Sequence, residues 1–192
     1  TYSYFKYQMH MASQNAIEVH NTAADDFNLI FGRKYGVIEE YRMDDADYVI
    51  VMSNTFATKG KTAVDRFRDK GIKVGLLRLR LVRPFPGKEI TAALKHRKGV
   101  AVIDQNISVG SGGIFYNEIA SSLYNETKRP VMLSFIGGLG GKDISFIEFQ
   151  KVLNDTIMAS ETGIVPATQL LYTESEWQQM KKLLEIAGKT RQ

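Results

Sequence analysis

The chain reads as an α/β protein: a mainly parallel sheet flanked by helices in three layers. Two observations predict this. Apolar runs of strand length recur without period-two alternation, as in Ala46 to Met52 and Val100 to Ile103, which is the pattern of strands buried on both faces. Between them lie amphipathic stretches bounded by glycine or proline, long enough to carry the chain back across a sheet.

Taken in order, Lys6 to about Leu29 has helical spacing through Met9, Ala12, Ala16, Val19 and Ala23, and Gly32 suits its end because glycine tolerates the left-handed cap. Two readings stand for this segment, a connector that docks on a neighbour and an ordinary surface helix. Ala46 to Met52 is the first strong strand. Ala57 to Lys70 follows as a helix with Ala63, Val64 and Phe67 inward, and Lys73 to Leu81 is the next strand, completing a crossover unit. Along that strand Arg78 and Arg80 share one face, at or past the carboxyl edge of the sheet. The alternative is that they and Arg83 pair with acidic groups of an abutting domain. Arg83-Pro84-Phe85-Pro86 forces an extended exit, because Arg83 and Phe85 each precede a proline.

Gly87 to Lys98 is helical and delivers the chain to the strand at Val100. A polar, glycine-bearing loop and a helix from Ile114 to Leu123 come next, then a strand from Val131 to Ile136 and a second glycine loop, Gly137 to Asp143. Loops at the ends of successive strands are expected side by side. Ser145 and Glu148 have capping-box spacing, which predicts a helix from Phe146 to Leu153. Thr156 to Thr168 has weak periodicity and reads as a loop. Thr173 and Glu176 open a final helix lined by Trp177, Met180, Leu183, Leu184 and Ala187, and Thr190 to Gln192 is expected to fray. The organisation is thus 1–43 connector helix and linker, 44–155 α/β domain, and 156–192 linker and helix.

Composition narrows the chemistry. The chain has 192 residues, 44% hydrophobic, enough for a sizeable core, and a formal charge of +4 spread among 21 acidic residues, which does not read as a nucleic-acid surface. With no cysteine it has no disulfide, thiol nucleophile or cysteine-held zinc or iron–sulfur cluster. No run approaches the roughly 20 apolar residues of a membrane span, and the start lacks the form of a signal peptide. The missing initiator methionine suggests a processed product or part of a longer polypeptide.

The first glycine loop matches neither the Walker nor the dinucleotide fingerprint. The helix start beside Gly112 and Gly113 offers N–H groups to a phosphate, and the same glycines equally serve a tight turn and close packing. His10, His20 and His96 lack ligand spacing, and Ser111 lacks the nucleophile-elbow context. Asp104 and Asp143 are the best-placed carboxylates, suited to capping and loop orientation more than to acid–base work.

Five stretches then align in order with a known family: Phe31 to Gly36 with Glu40-Tyr41-Arg42, Asp45 to Val51, Arg80 to Pro86, Asp104 to Ser108, and Gly138 to Ile144. Across Asp26 to Asn154 the chain resembles the region after the first domain in the alpha subunit of 2-oxoacid:ferredoxin oxidoreductases, pyruvate:ferredoxin oxidoreductase above all. The resemblance implies a fold like the C-terminal domain of transketolases. It also implies an enzyme that oxidatively decarboxylates a 2-oxoacid on thiamine diphosphate with Mg, passes electrons through iron–sulfur clusters to ferredoxin, and captures the acyl group on coenzyme A. Those cofactors would sit in other domains or subunits of a cytoplasmic complex, without nucleic acid or membrane, and the isolated chain would be inactive.

For this chain the resemblance implies no catalytic residue and no metal ligand, and a bracing role with an edge that reaches neighbours or coenzyme A. The edge candidates are Arg80, Arg83, Asn106, Ser108, Gly112, Gly113, Gly140 and Lys142. Lys142 stands where the family usually has arginine, which loses the bidentate fork, and Ser53 to Phe56 departs from the usual glycine-containing turn. A non-catalytic binding module of the same fold, and a family member for another 2-oxoacid, remain as alternatives.

Overall fold

The computed structural model describes residues 1–189; the expected fraying of Thr190 to Gln192 lies outside them. After a 30-residue helix α1 (Tyr2–Phe31) come β1 (Ile38–Tyr41), β2 (Tyr48–Ser53), α2 (Phe56–Arg68), β3 (Val74–Leu79), α3 (Gly87–Leu94), β4 (Gly99–Asp104), α4 (Ile114–Leu123), β5 (Val131–Ile136), α5 (Phe146–Thr162), β6 (Gln169–Leu170) and α6 (Glu174–Lys189). The strands form one sheet in the order β1-β3-β2-β4-β5-β6, all parallel except β1, which runs antiparallel to β3.

Alternation along the buried strands sends side chains to two cores. Ile50, Met52, Leu76, Ile103 and Phe135 meet α2 and α5 on one face. Val49, Val51, Leu77, Val100 and Val102 meet α3 and α4 on the other. The architecture is therefore the expected three layers around a mainly parallel sheet. From β2 the chain steps outward to β3 through α2, then returns past β2 to β4 through α3 on the opposite face. Reversing direction and face together keeps the crossover hand. The step from β5 to β6 through α5 does not: it continues outward yet lies on the α2 face, so its hand is opposite, and β6 is only two residues long.

The structure departs from the sequence pattern in adding β1 and the short β6 and in lengthening α5. Within the stretch expected as linker, Ile38–Tyr41 adds an edge strand, with Glu39 opposite Arg78 in register. Two adjacent glutamates mask it as a strand by pattern alone. The helix expected to end at Leu153 continues to Thr162, through much of the stretch expected as loop. Its polar positions are satisfied from within: Thr156 Oγ1 donates to the Val152 carbonyl at 2.7 Å and Ser160 Oγ to that of Ile157 at 2.7 Å, so the weak periodicity concealed a helix. Gly163 then ends it at φ 72°, its N–H bonding the Ala159 carbonyl at 2.9 Å. α1 turns its apolar stripe outward, which both readings of this segment allow. Only Ala24 of that helix is buried, while Met9 and Val19 are 64% and 68% exposed.

The extended helix can be tested directly. Ala159, 2% exposed, should not accept a charge: Ala159→Asp is expected to cost more than about 3 kcal/mol of unfolding free energy in urea titration, because an unpaired carboxylate would be buried. A loss under about 0.5 kcal/mol would mean an exposed loop instead.

Candidate functional site

Strand order reverses between β2 and β4, and in open parallel sheets the crevice at the carboxyl ends of such a pair is where ligands and partners meet the fold. Three loops converge there. Asn54, just past β2, adopts φ 56° and donates from Nδ2 to Gln105 Oε1, just past β4, at 3.3 Å. Gly138, past β5, approaches so closely that a Cβ on it would lie 3.3 Å from Gln105 Nε2 and 3.4 Å from the Phe56 ring. Gly137 N–H bonds the Asp104 carbonyl at 2.9 Å, so the two glycine loops do lie side by side. Neither Asn54 nor Gln105 was among the edge candidates, although both lie in stretches weighed against the family, Ser53 to Phe56 and Asp104 to Ser108; the signal for them as a pair was position, each directly following a buried strand.

Asp104 occupies the centre of this edge and is wholly buried. Its Oδ1 accepts from Phe115 N at 2.9 Å and Asn106 Nδ2 at 3.2 Å, and Oδ2 from Tyr116 N at 3.1 Å. Asn106 Oδ1 accepts from Ile114 N at 3.4 Å. The N–H groups opening α4 thus bond the chain's own side chains, and a carboxylate stands where one of the two readings of the Gly112–Gly113 turn put a phosphate. Gly113 is required by that arrangement, because a Cβ there would lie 2.1 Å from Asp104 Oδ2. Ser108 and Gly112 exchange backbone hydrogen bonds at 2.8 and 2.9 Å, closing a tight hairpin that presents Ile107 and Val109 outward.

The second glycine loop is pinned from both sides. Lys142 pairs with Glu176 in the first turn of α6, and Asp143 pairs with Lys59 on α2. Glu176 also accepts from Thr173 N at 2.7 Å, forming the expected cap of α6. Gly140, at φ 66°, lies in a single 3-10 turn, Leu139–Gly141, between these anchors.

The arginines at the far end of the edge also find partners within the chain. Arg80 Nη2 reaches Glu39 Oε2 at 2.6 Å with its guanidinium over the Tyr35 ring, and Arg78 Nη1 lies 3.5 Å from the same oxygen. Lys61 takes the other oxygen of Glu39. Arg83 pairs with Glu118 at 2.5 Å. The structure thus joins Arg80 to β1 and Arg83 to α4, and does not bring them together with Lys142.

Burial pushes the Asp104 carboxyl up, against the hydrogen bonds that favour its charged form. Burial would raise Glu39 as well, but hydrogen bonds from Lys61 and Arg80 outweigh it and hold that carboxyl below its usual range. Among the described residues no group of three or more His, Asp or Glu could hold a metal ion, and no helix is long and apolar enough to cross a membrane.

A family model described as pyruvate:ferredoxin oxidoreductase core domain II matches residues 46–149. The pyruvate synthase subunit PorA of Pyrococcus abyssi is 39% identical over 160 residues, covering 83% of this chain and 40% of that protein. The ketoisovalerate oxidoreductase subunit VorA of the same organism is 35% identical over 182 residues, covering 94% of this chain and 45% of that protein. The chain therefore spans less than half the length of these relatives. A solved 2-oxoglutarate:ferredoxin oxidoreductase from Magnetococcus marinus, with 2-oxoglutarate, coenzyme A and succinyl-CoA bound, aligns with 69% of this chain and 21% of that one at 20% identity and a TM-score of 0.48.

Asp104 makes two measurable demands. Asp104→Asn, which loses one carboxylate acceptor at the helix start, should cost about 1–3 kcal/mol at pH 7 by chemical denaturation. Because folded Asp104 holds its proton more tightly than the unfolded chain, whose aspartates titrate near about pH 3.9, its contribution to stability should fall as pH rises from that value through the raised folded pKa. The asparagine variant should lack this decline.

Proposed function

This chain belongs to the pyruvate:ferredoxin oxidoreductase core domain II family, and we propose that it forms that part of a 2-oxoacid:ferredoxin oxidoreductase whose 2-oxoacid is pyruvate. In the reaction of such an enzyme, pyruvate loses carbon dioxide, its acyl group is transferred to coenzyme A, and the electrons released reduce ferredoxin. The residues described do not fit the prosthetic groups of that chemistry. The chain has no cysteine to hold an iron–sulfur cluster, and among the described residues no carboxylate or histidine group could hold a metal; the proposal assigns thiamine diphosphate, Mg and the clusters to other domains or subunits.

The role proposed for this chain is bracing. One observation carries it: the carboxyl edge spends its polar groups on its own fold, while the apolar stripe of α1 and the Ile107–Val109 hairpin tip face outward. An edge arranged in this way supports neighbours; it presents no acid–base pair to a substrate. The same pairings bear on coenzyme A. Arg83 and Lys142, offered by their charge for its phosphates, each already meet a carboxylate of the chain. Cytoplasmic location and delivery of electrons to ferredoxin through partner subunits belong to the same reading. The VorA likeness makes a branched-chain 2-oxoacid the competing substrate.

Gentle purification of the tagged chain from its source cell should bring down thiamine-binding and cysteine-rich partners, and the complex should reduce viologen with pyruvate and coenzyme A. Reduction with 2-oxoisovalerate alone would replace pyruvate as substrate, and a chain that purifies alone and inactive would overturn the enzyme reading. Within the active complex, Arg83→Ala should leave the KM for coenzyme A within about twofold of the parent. A tenfold rise would return Arg83 to the coenzyme A site.

A further inference from the structure

One carboxylate on the β1–β3 edge serves three cations. Lys61, Arg78 and Arg80 all converge on Glu39, and among the described residues no second acid lies within ion-pair distance of any of them. The group is not a loose surface cluster: the four side chains are only 20–26% exposed. Glu39 and Arg78 face each other in register across the antiparallel pair, and α2 brings Lys61 over them. Like charges held this close in a partly water-excluded place repel one another, and a single anion leaves two positive charges over. Tyr41 under Lys61 and Tyr35 under Arg80 take some of that excess through their ring faces. Among the described residues no such ring lies against Arg78, and its ion pair with Glu39, at 3.5 Å, is the longest of the three.

We propose that this cluster is a binding site for a phosphate dianion, either the free ion or the phosphate monoester of a larger ligand. The charge count selects it. A dianion cancels the excess, whereas a carboxylate cancels half. Two guanidiniums and an ammonium also supply donors for a tetrahedral group, in the planar forks that phosphate favours. Stacking of Arg80 on Tyr35 holds one fork in place before the ligand arrives. The site stands on the charge arrangement alone and does not depend on the enzyme reading above.

Thermal unfolding of the whole chain tests this, with sodium phosphate compared against sodium chloride and sodium acetate at equal ionic strength. Phosphate tenfold above its Kd should raise Tm by about 3–6 °C over both controls. Arg78→Gln, which disturbs the weakest internal contact, should weaken phosphate binding about tenfold, the loss of one charge-assisted hydrogen bond. Glu39→Gln removes the competing anion, so its Tm without phosphate should drop and the phosphate-induced rise should exceed that of the parent. Glycerol 3-phosphate as effective as phosphate would identify an ester site, and phosphate alone a site for the free ion. No shift beyond the salt controls, or a shift of equal size in Arg78→Gln, would overturn the proposal.

Discussion

The carboxyl edge of the sheet depends on a buried charge. Asp104 ends β4 with no exposure to solvent, a placement that its desolvation opposes, and it is retained because three donors converge on it. Those bonds lock the first turn of α4 to the end of β4 and exclude any side chain at Gly113. They also fix where the loop departs, while the Asp104 carbonyl holds the start of the second glycine loop through Gly137. The spacing of both loops, and with it the crevice between β2 and β4, follows from this residue.

Electrostatics around that edge are settled mostly within the chain. Four acids contributed by different elements, Glu39, Glu118, Asp143 and Glu176, each meet a cation of the edge. Long-range pairing of this kind sets cations from several elements against acids of the same chain. The cluster at Glu39 is the exception, because one carboxylate there is divided among three cations.

Outward apolar surface completes the picture. The stripe on α1 and the hairpin tip, where Val109 is 93% exposed, cover nothing in this chain. In proteins more than twice its length, such as the PorA and VorA relatives, further polypeptide is available to meet surfaces of this kind. These apolar margins on a three-layer core are what the proposed bracing role rests on.

Much of this was legible in the sequence. β5 and α4 begin and end where the pattern put them, and β2, α2 and β4 lie within a residue or two, because strands buried on both faces and their covering helices write their burial directly into the order of residues. The capping boxes at Ser145 and Thr173 were equally readable, being local bonds between residues three apart. What the sequence could not determine were the partners. That Asp104 would fill the helix start opened by its own loop, that Glu39 would lie opposite Arg78, and that Arg83 and Lys142 would find Glu118 and Glu176 depends on which strands become neighbours and how helices lie across them. β1, β6 and the last turns of α5 escaped notice for the same reason: their stability comes from contacts with distant segments, and residues that depend on distant contacts leave no period of their own.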